Sequence, residues 1–162
     1  MIIKYFNFKQ LVKSVLAMWL QNCNNQLNDD FKMNEPLFKI FIVDDDPFCL
    51  GIYEKHLMNM GYLDVFTFDN GPDCISQLHN HPDIVFTDYK MVPMDGLSVV
   101  KEIKRQDPKI YTVMISGQKD AALINTSLES GVFEFITKGE NELQHIKSVL
   151  DDIKHINKLI NN

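Results

Sequence analysis

The sequence predicts an α/β fold, a five-stranded parallel doubly wound sheet with five helices, preceded by an N-terminal helical extension. Two observations lead to this prediction. Short runs rich in β-branched and aromatic residues alternate with helix-length segments, and Gly, Pro or Asp bounds these runs. Continuous apolar runs are typical of strands that helices cover on both faces. The expected strands are residues 38–43, 63–68, 84–87, 110–115 and 132–136.

Proline and glycine mark the expected helix boundaries. Pro47 begins the first helix and Gly61 follows its end, with Asp46 expected as the N-terminal cap. Gly131 ends the fourth helix in the same way. The expected helices are residues 47–60, 73–79, 96–105, 119–130 and 141–160.

Composition bounds the class of protein. The 162 residues are 45% hydrophobic and 23% charged, as in globular domains. The net charge is −6, which argues against a nucleic-acid partner because phosphates require basic patches. The charge is uneven, since residues 1–36 carry +1 and residues 37–162 carry −7. We therefore expect two parts, an extension over 1–36 and an acidic domain over 37–162.

Cysteine usage and hydropathy indicate a cytoplasmic protein. The three cysteines are odd in number and form no C-x-x-C pair, so no disulfide framework is expected. No apolar run reaches the roughly 18 residues of a membrane-spanning helix. We expect neither a membrane nor a nucleic acid among the partners.

Polar residues follow four of the expected strands. The first strand ends in the acidic run 44–46, the third in Asp88, the fourth in Ser116 and the fifth in Lys138. Because the carboxyl ends of parallel strands share one edge, these side chains should converge. Crowded carboxylates repel one another unless a cation is present, and Mg²⁺ prefers carboxylates, water and phosphate oxygens. The set predicts an aspartyl-phosphate site in which Asp88 attacks phosphorus.

The residues at these strand ends resemble the receiver domain of two-component response regulators, the CheY-like family with its flavodoxin-like fold. The resemblance covers about residues 37–152. The matching stretches are Ile42-Val43-Asp44-Asp45-Asp46-Pro47, Val85-Phe86-Thr87-Asp88, Met91 to Met94-Asp95-Gly96, Val113-Met114-Ile115-Ser116-Gly117 and Phe135-Ile136-Thr137-Lys138.

The resemblance implies a role for each residue of the site. Asp88 is the phosphoacceptor, and Lys138 pairs with the phosphoryl group. Ser116 and Phe135 form the switch, in which Ser116 moves inward and Phe135 then turns in behind it. The implied Mg²⁺ ligands are Asp44, Asp45, Asp88 and the backbone carbonyl of Lys90, with Asp45 the direct ligand and Asp44 acting partly through water.

The implied function is signalling and not enzymatic turnover. A histidine kinase or histidine phosphotransfer protein would phosphorylate Asp88, and the surface of the fourth helix, fifth strand and fifth helix would present the signal to a target protein. We expect a stand-alone receiver, because residue 162 follows the last helix directly.

Three positions depart from the family pattern. Pro93 is displaced by one residue, which predicts an altered turn at an intact site. Gly139 stands where the family has proline, so we expect a looser loop after Lys138. Phe135 replaces the usual tyrosine and offers no hydroxyl to a partner.

Two alternatives compete with a phosphorylated receiver. One is a receiver-like module that binds its partner without phosphate. The other is a haloacid-dehalogenase-like phosphatase, because residues 44–46 contain an Asp-x-Asp motif. That family requires Thr or Val where Phe48 stands, and it leaves Asp88 without a role.

Both ends of the chain carry amphipathic patterns. In the last helix, Leu143, Ile146, Leu150, Ile153, Asn157 and Ile160 occupy heptad positions a and d, so one hypothesis is a homodimer in which Asn157 sets the register. Residues 8–19 form an apolar stripe before a polar linker. That helix could dock on a protein or lie on an anionic membrane surface. We favour a third interpretation, that it is a non-native extension and that Met33 is the natural start.

Overall fold

The computed structural model describes residues 38–160. The chain divides into two units, Met1–Pro36 and Leu37–Asn162, and the fold belongs to the second. The N-terminal helix and linker expected from the sequence lie outside the described residues. The elements are β1 (Ile40–Val43), α1 (Pro47–Asn59), β2 (Val65–Phe68), α2 (Gly71–Ser76), a 3₁₀ turn (Leu78–Asn80), β3 (Ile84–Asp88), α3 (Gly96–Gln106), β4 (Tyr111–Ser116), α4 (Ala121–Glu129), β5 (Glu134–Thr137) and α5 (Glu142–Ile160).

The five strands form one parallel sheet, which confirms the expected doubly wound fold. Their order is β2-β1-β3-β4-β5. The chain moves outward from β1 to β2 and then returns to the other side of β1 as β3. Ligands in such sheets bind at this reversal, outside the carboxyl ends of the strands. The expected site lies at this edge.

Two layers of helices cover the sheet because successive strand residues point to opposite faces. In β1, Ile40 and Ile42 pack in the cluster with α1 and α5, and Phe41 and Val43 pack with α2 and α3. All four side chains are buried. A third cluster joins α3 and α4 to β4 and β5, and it contains Phe135. Coverage on both faces explains why the strands read as continuous apolar runs.

The start of α1 is placed as the sequence predicts. Asp46 accepts a hydrogen bond from the Phe48 amide at 2.9 Å, and Pro47 occupies the first helical turn. Gly61, at a φ of +92°, follows the end of the helix in the left-handed region that favours glycine.

Two helices differ from the predicted bounds by two residues or more. The second begins at Gly71 and ends at Ser76, and the chain continues as a separate 3₁₀ turn that closes at His81, whose φ is +54°. The fourth begins at Ala121 and not at residue 119 because Asp120 caps it, accepting from the Ala122 amide at 2.9 Å. Capping chemistry thus decides the start of the fourth helix. No helix within residues 38–160 is long and apolar enough to cross a membrane.

The heptad stripe of α5 faces its own sheet. Ile146, Leu150 and Ile153 are buried in the cluster shared with α1. The Asn157 side-chain oxygen accepts a hydrogen bond from the Tyr111 hydroxyl at 3.0 Å. The domain itself therefore uses Ile146, Leu150, Ile153 and Asn157, while Ile160 is 72% exposed. A homodimer through the last helix stays a prediction.

Candidate functional site

The edge formed by the carboxyl ends of the strands brings acidic and basic side chains together. The register pairs Val43 with Thr87, which places Asp44 and Asp88 on adjacent strands. Lys138, just after β5, reaches across this edge. Its Nζ lies 2.8 Å from Asp44 Oδ2 and 2.6 Å from Asp88 Oδ1. Asp44 and Asp88, which precede Lys138 by 94 and 50 positions in the chain, therefore share its ammonium group.

Further hydrogen bonds hold the two carboxylates in place. The second oxygen of Asp44, Oδ1, accepts from the Asp46 amide at 2.9 Å, and Asp88 Oδ2 accepts from the Lys90 amide at 2.6 Å. Both acids are buried, at 2% and 8% exposure. Their oxygens are thus directed by groups of their own loops as well as by the shared lysine.

Burial and pairing act in opposite directions on the charges of the site. Burial raises the pKa of Asp88, and although the hydrogen bond and charge of Lys138 oppose that change, the pKa stays above its ordinary value. Burial alone would lower the pKa of Lys138, but its bonds to Asp44 and Asp88 raise it above its usual range. Lys138 is therefore charged at neutral pH, and its ammonium stabilises the two buried carboxylates, which would cost free energy without a cation beside them.

The donor set fits a divalent cation. Asp44 and Asp88 set two buried carboxylates against the one ammonium of Lys138, so one negative charge stays uncompensated. Asp45 follows Asp44 in the chain and is exposed. Within residues 38–160, no three acidic, His or Cys side chains are grouped closely enough to form a complete metal cluster. Mg²⁺ does not need one, because it keeps several waters and binds through one or two carboxylates.

Ser116 lies at the end of β4 beside this pocket. It is buried, and its hydroxyl accepts a hydrogen bond from the Gln118 amide at 3.1 Å. The Ser116 carbonyl accepts from the Lys138 amide at 2.8 Å. The serine thus connects the β4 loop to the lysine loop.

Phe135 lies on β5 and is buried. The residue is 7% exposed and packs in the cluster with Val100, Met114 and Val132. The switch role of Phe135 that the resemblance implies stays a prediction.

The loop from β3 to α3 sets the position of the Asp88 backbone. A Cβ on Gly96 would overlap the Asp88 carbonyl oxygen, so only glycine permits this approach. The Gly96 amide donates to the Tyr89 carbonyl at 2.9 Å. Asp95 caps α3 by accepting from the Ser98 amide at 2.7 Å. The displaced proline is accommodated in this loop, where the Val92–Pro93 bond is cis.

The loop after Lys138 is tied where the sequence led us to expect looseness. The Gly139 amide donates to Glu142 Oε2 at 2.9 Å. Proline has no amide hydrogen and could not make this bond. The glycine therefore exchanges one constraint for another, and the bond links Lys138 to the first turn of α5.

Sequence reasoning missed two residues of α1 that lie behind the pocket. Cys49 Sγ is 3.8 Å from Lys138 Nζ and 3.6 Å from Asp46 Oδ2. Tyr53, one turn later on the same face, is fully buried in the adjoining core. Helical spacing could have identified them, because Cys49 and Tyr53 are four residues apart and lie on one face of a helix that begins at the acidic run.

The role of Asp46 bears on the phosphatase alternative. Its carboxylate caps α1 through the Phe48 amide and accepts from the Cys49 thiol. The second acid of an Asp-x-Asp pair would have to act on the substrate, but this carboxylate is engaged with its own helix. The geometry instead gathers Asp44, Asp88 and Lys138.

Comparison with known proteins identifies the family of this chain and agrees with its fold. The family model of the response regulator receiver domain matches residues 40–150. The chemotaxis protein CheY of Bacillus subtilis is 31% identical over 101 residues, which cover 62% of this chain and 84% of that protein. The DNA-binding transcriptional regulator NtrC of Escherichia coli is 29% identical over 100 residues, 61% of this chain. The match spans only 21% of NtrC.

A solved structure shows the same architecture. The CheX–CheY–BeF₃–Mg²⁺ complex of Borrelia burgdorferi contains a chain that is 25% identical, with a TM-score of 0.68 over 76% of this chain and 93% of that one. The family model covers more than half of the sequence. The chain belongs to the response regulator receiver domain family.

Proposed function

We propose that this chain is a response regulator receiver that accepts a phosphoryl group on Asp88 and signals to a protein partner. The observation that carries the proposal is the ammonium of Lys138, which bridges Asp44 and Asp88 at the strand ends. A nucleophilic carboxylate, a second carboxylate and a fixed cation are the parts that aspartyl phosphorylation requires.

The donor is a phosphohistidine on a kinase or phosphotransfer protein. An oxygen of Asp88 attacks phosphorus, the P–N bond to the imidazole breaks, and the leaving imidazole takes up a proton. Lys138 offsets the charge that develops on the phosphoryl oxygens. Asp44, Asp45, Asp88 and the Lys90 carbonyl would hold Mg²⁺, which when bound neutralises phosphoryl charge and orients the group in line.

The surface beside the pocket supports a protein donor. Phe48 is 72% exposed in the first turn of α1, next to the acidic run. A shallow groove of about 490 Å³ extends from it, between α1 and Leu143 at the start of α5. An exposed aromatic next to a groove is typical of protein–protein contacts, so an apolar helix that carries the donor histidine would fit here.

We propose that phosphorylation changes the partner-binding surface through a movement of Ser116. A phosphoryl oxygen on Asp88 would accept a hydrogen bond from the Ser116 hydroxyl and draw it inward. Because the Gln118 amide donates to the same hydroxyl oxygen, this movement would shift the β4–α4 loop. Phe135 packs between β4, β5 and α3, so we expect a movement of Ser116 to reach it, and the change read by a target lies on the surface of α4, β5 and α5.

Uptake of phosphate from acetyl phosphate and Mg²⁺ tests the proposal. We expect stoichiometric incorporation in the wild type and none in Asp88→Asn. Asp151→Asn is the matched control, because that carboxylate is exposed and pairs only with Lys147 one turn away, at 3.3 Å. Equal labelling of Asp88→Asn and the wild type would refute Asp88 as the acceptor. No uptake in the wild type would favour the phosphate-independent binding module.

A further inference from the structure

A buried tyrosine hydroxyl lies behind the pocket without a partner. Tyr53 is 2% exposed and packs in the core between the sheet, α1 and α5. Its hydroxyl makes no hydrogen bond to any part of the chain that the structure describes. Buried polar groups in folded proteins are nearly always paired, and each exception needs an explanation. A hydroxyl that is idle in one state of a switch protein can have its partner in the other state.

The direction of the side chain points to that partner. Helical side chains lean toward the N-terminus of their helix, and the N-terminus of α1 follows the acidic run directly. One turn in that direction lies Cys49, whose sulfur is 3.8 Å from Lys138 Nζ. Burial raises the pKa of Tyr53, the charge of Lys138 opposes the rise, and Glu142 adds to it. The hydroxyl therefore lies within electrostatic range of the lysine.

The lysine will need a new acceptor when a cation enters the site. Its ammonium has three N–H donors, and Asp44 and Asp88 accept from it in the structure. A divalent cation held by Asp44 and Asp45 repels the ammonium and competes for the same carboxylate. The Lys138 side chain is 24% exposed, so a donor released from Asp44 is only partly accessible to water.

The Cys49 thiol, 3.8 Å from the ammonium, is a poor substitute because its sulfur is a weak acceptor. A tyrosine hydroxyl has two lone pairs and carries no charge, so it can accept from the ammonium at little electrostatic cost.

We propose that Tyr53 is a positioning residue for Lys138. Its hydroxyl accepts a hydrogen bond from the ammonium when a divalent cation occupies the Asp44 carboxylate, and it keeps Lys138 directed at Asp88. The inference rests on the proposed function, since only that function brings a cation to Asp44.

Tyr53→Phe tests the inference, with Tyr62→Phe as the matched control. Tyr62 is a buried tyrosine of the same core that follows the far end of α1. Without Mg²⁺, Tyr53→Phe should be at least as stable as the wild type to denaturant, because the resting hydroxyl has no partner. In a Mg²⁺ titration followed by thermal unfolding, its apparent dissociation constant should rise about tenfold. Tyr62→Phe should bind Mg²⁺ as the wild type does.

A double-mutant cycle separates positioning from a general structural role. In a Lys138→Met background, Tyr53→Phe should leave the Mg²⁺ affinity unchanged, because the donor is gone. An equal loss of affinity in both backgrounds, or lower stability of metal-free Tyr53→Phe, would overturn the inference. Failure of the wild type itself to bind Mg²⁺ overturns the proposed function with it. Normal wild-type binding with an indifferent Tyr53→Phe overturns this inference alone.

Discussion

Replacing Gly96 with alanine is the smallest change that should move the phosphoacceptor. Gly96 begins α3 directly against the end of β3, where a new Cβ would overlap the Asp88 carbonyl oxygen. It would also lie 2.9 Å from the Asp88 carbonyl carbon and 3.1 Å from Thr87 Oγ1. Backbone and a buried hydroxyl form these contacts, so no flexible side chain can yield to the methyl group.

The displacement can be worked out from these distances. Carbon atoms pack at about 3.5–4.0 Å, so the carbonyl carbon alone requires a shift of roughly 0.6 Å, and the overlap with the oxygen requires more. Forcing a methyl group into a packed site costs about 1–3 kcal/mol of unfolding free energy. A misplacement near 1 Å at a reacting group lowers the rate by up to about 100-fold. We therefore expect phosphorylation of Gly96→Ala to slow by between ~10-fold and ~100-fold.

The rate of labelling by acetyl phosphate with Mg²⁺ measures the effect, alongside urea denaturation. Gly51→Ala is the control, because a Cβ at that position in α1 contacts nothing within 4 Å. A helical Gly→Ala change should raise stability by about 0.5–1 kcal/mol and leave labelling unchanged. A folded Gly96→Ala protein that is labelled at the wild-type rate would refute the argument that this glycine sets the position of Asp88.

Three further changes test other parts of the structure. Gly139→Pro should lower the unfolding free energy by about 1–3 kcal/mol in urea, since it removes the amide bonded to Glu142 and cannot adopt a φ of +156°; a stabilised variant would contradict this. Ile153→Ala should cost about 2–4 kcal/mol and leave the sedimentation coefficient unchanged, because this side chain fills the protein's own core; dissociation of a dimer would contradict that assignment. In a Cys23→Ser background, alkylation of Cys49 by iodoacetamide should keep accelerating above pH 8.5, the ordinary thiol pKa, because burial and then Asp44 raise its pKa; a plateau at or below pH 8.5 would show the opposite sign.

The sequence predicted the elements because their signals are local. Continuous apolar runs mark strands that are covered on both faces. Asp46-Pro47 marks a helix start because the Asp46 side chain accepts a hydrogen bond from the amide two residues later. The predicted bounds were wrong where a neighbouring cap competed, as at Asp120. Hydrophobic periodicity cannot resolve such boundaries, because it reports a face and not an end.

The sequence also predicted which residues share the site, because the carboxyl ends of all strands in a parallel sheet lie at the same edge. Once the strands are parallel, Asp44, Asp88, Ser116 and Lys138 must meet at one edge. The contacts between these side chains depend on the register of the strands, which no local sequence pattern specifies. Lys138 could have paired with either carboxylate, and the packed structure places it between both.

Contacts between elements that are distant in sequence needed the folded structure. The heptad stripe of α5 is consistent with a dimer or with packing on the sheet, and the hydrogen bond from the Tyr111 hydroxyl to Asn157 shows that the sheet contacts this stripe. The burial of Phe135 and the unpaired hydroxyl of Tyr53 likewise depend on neighbours distant in sequence. Fold class and the residue types at the strand ends could be predicted from the sequence, since hydrophobic period and residue identity specify both. The packing around Phe135 and Tyr53 depends on volumes and distances between elements, which no single segment contains.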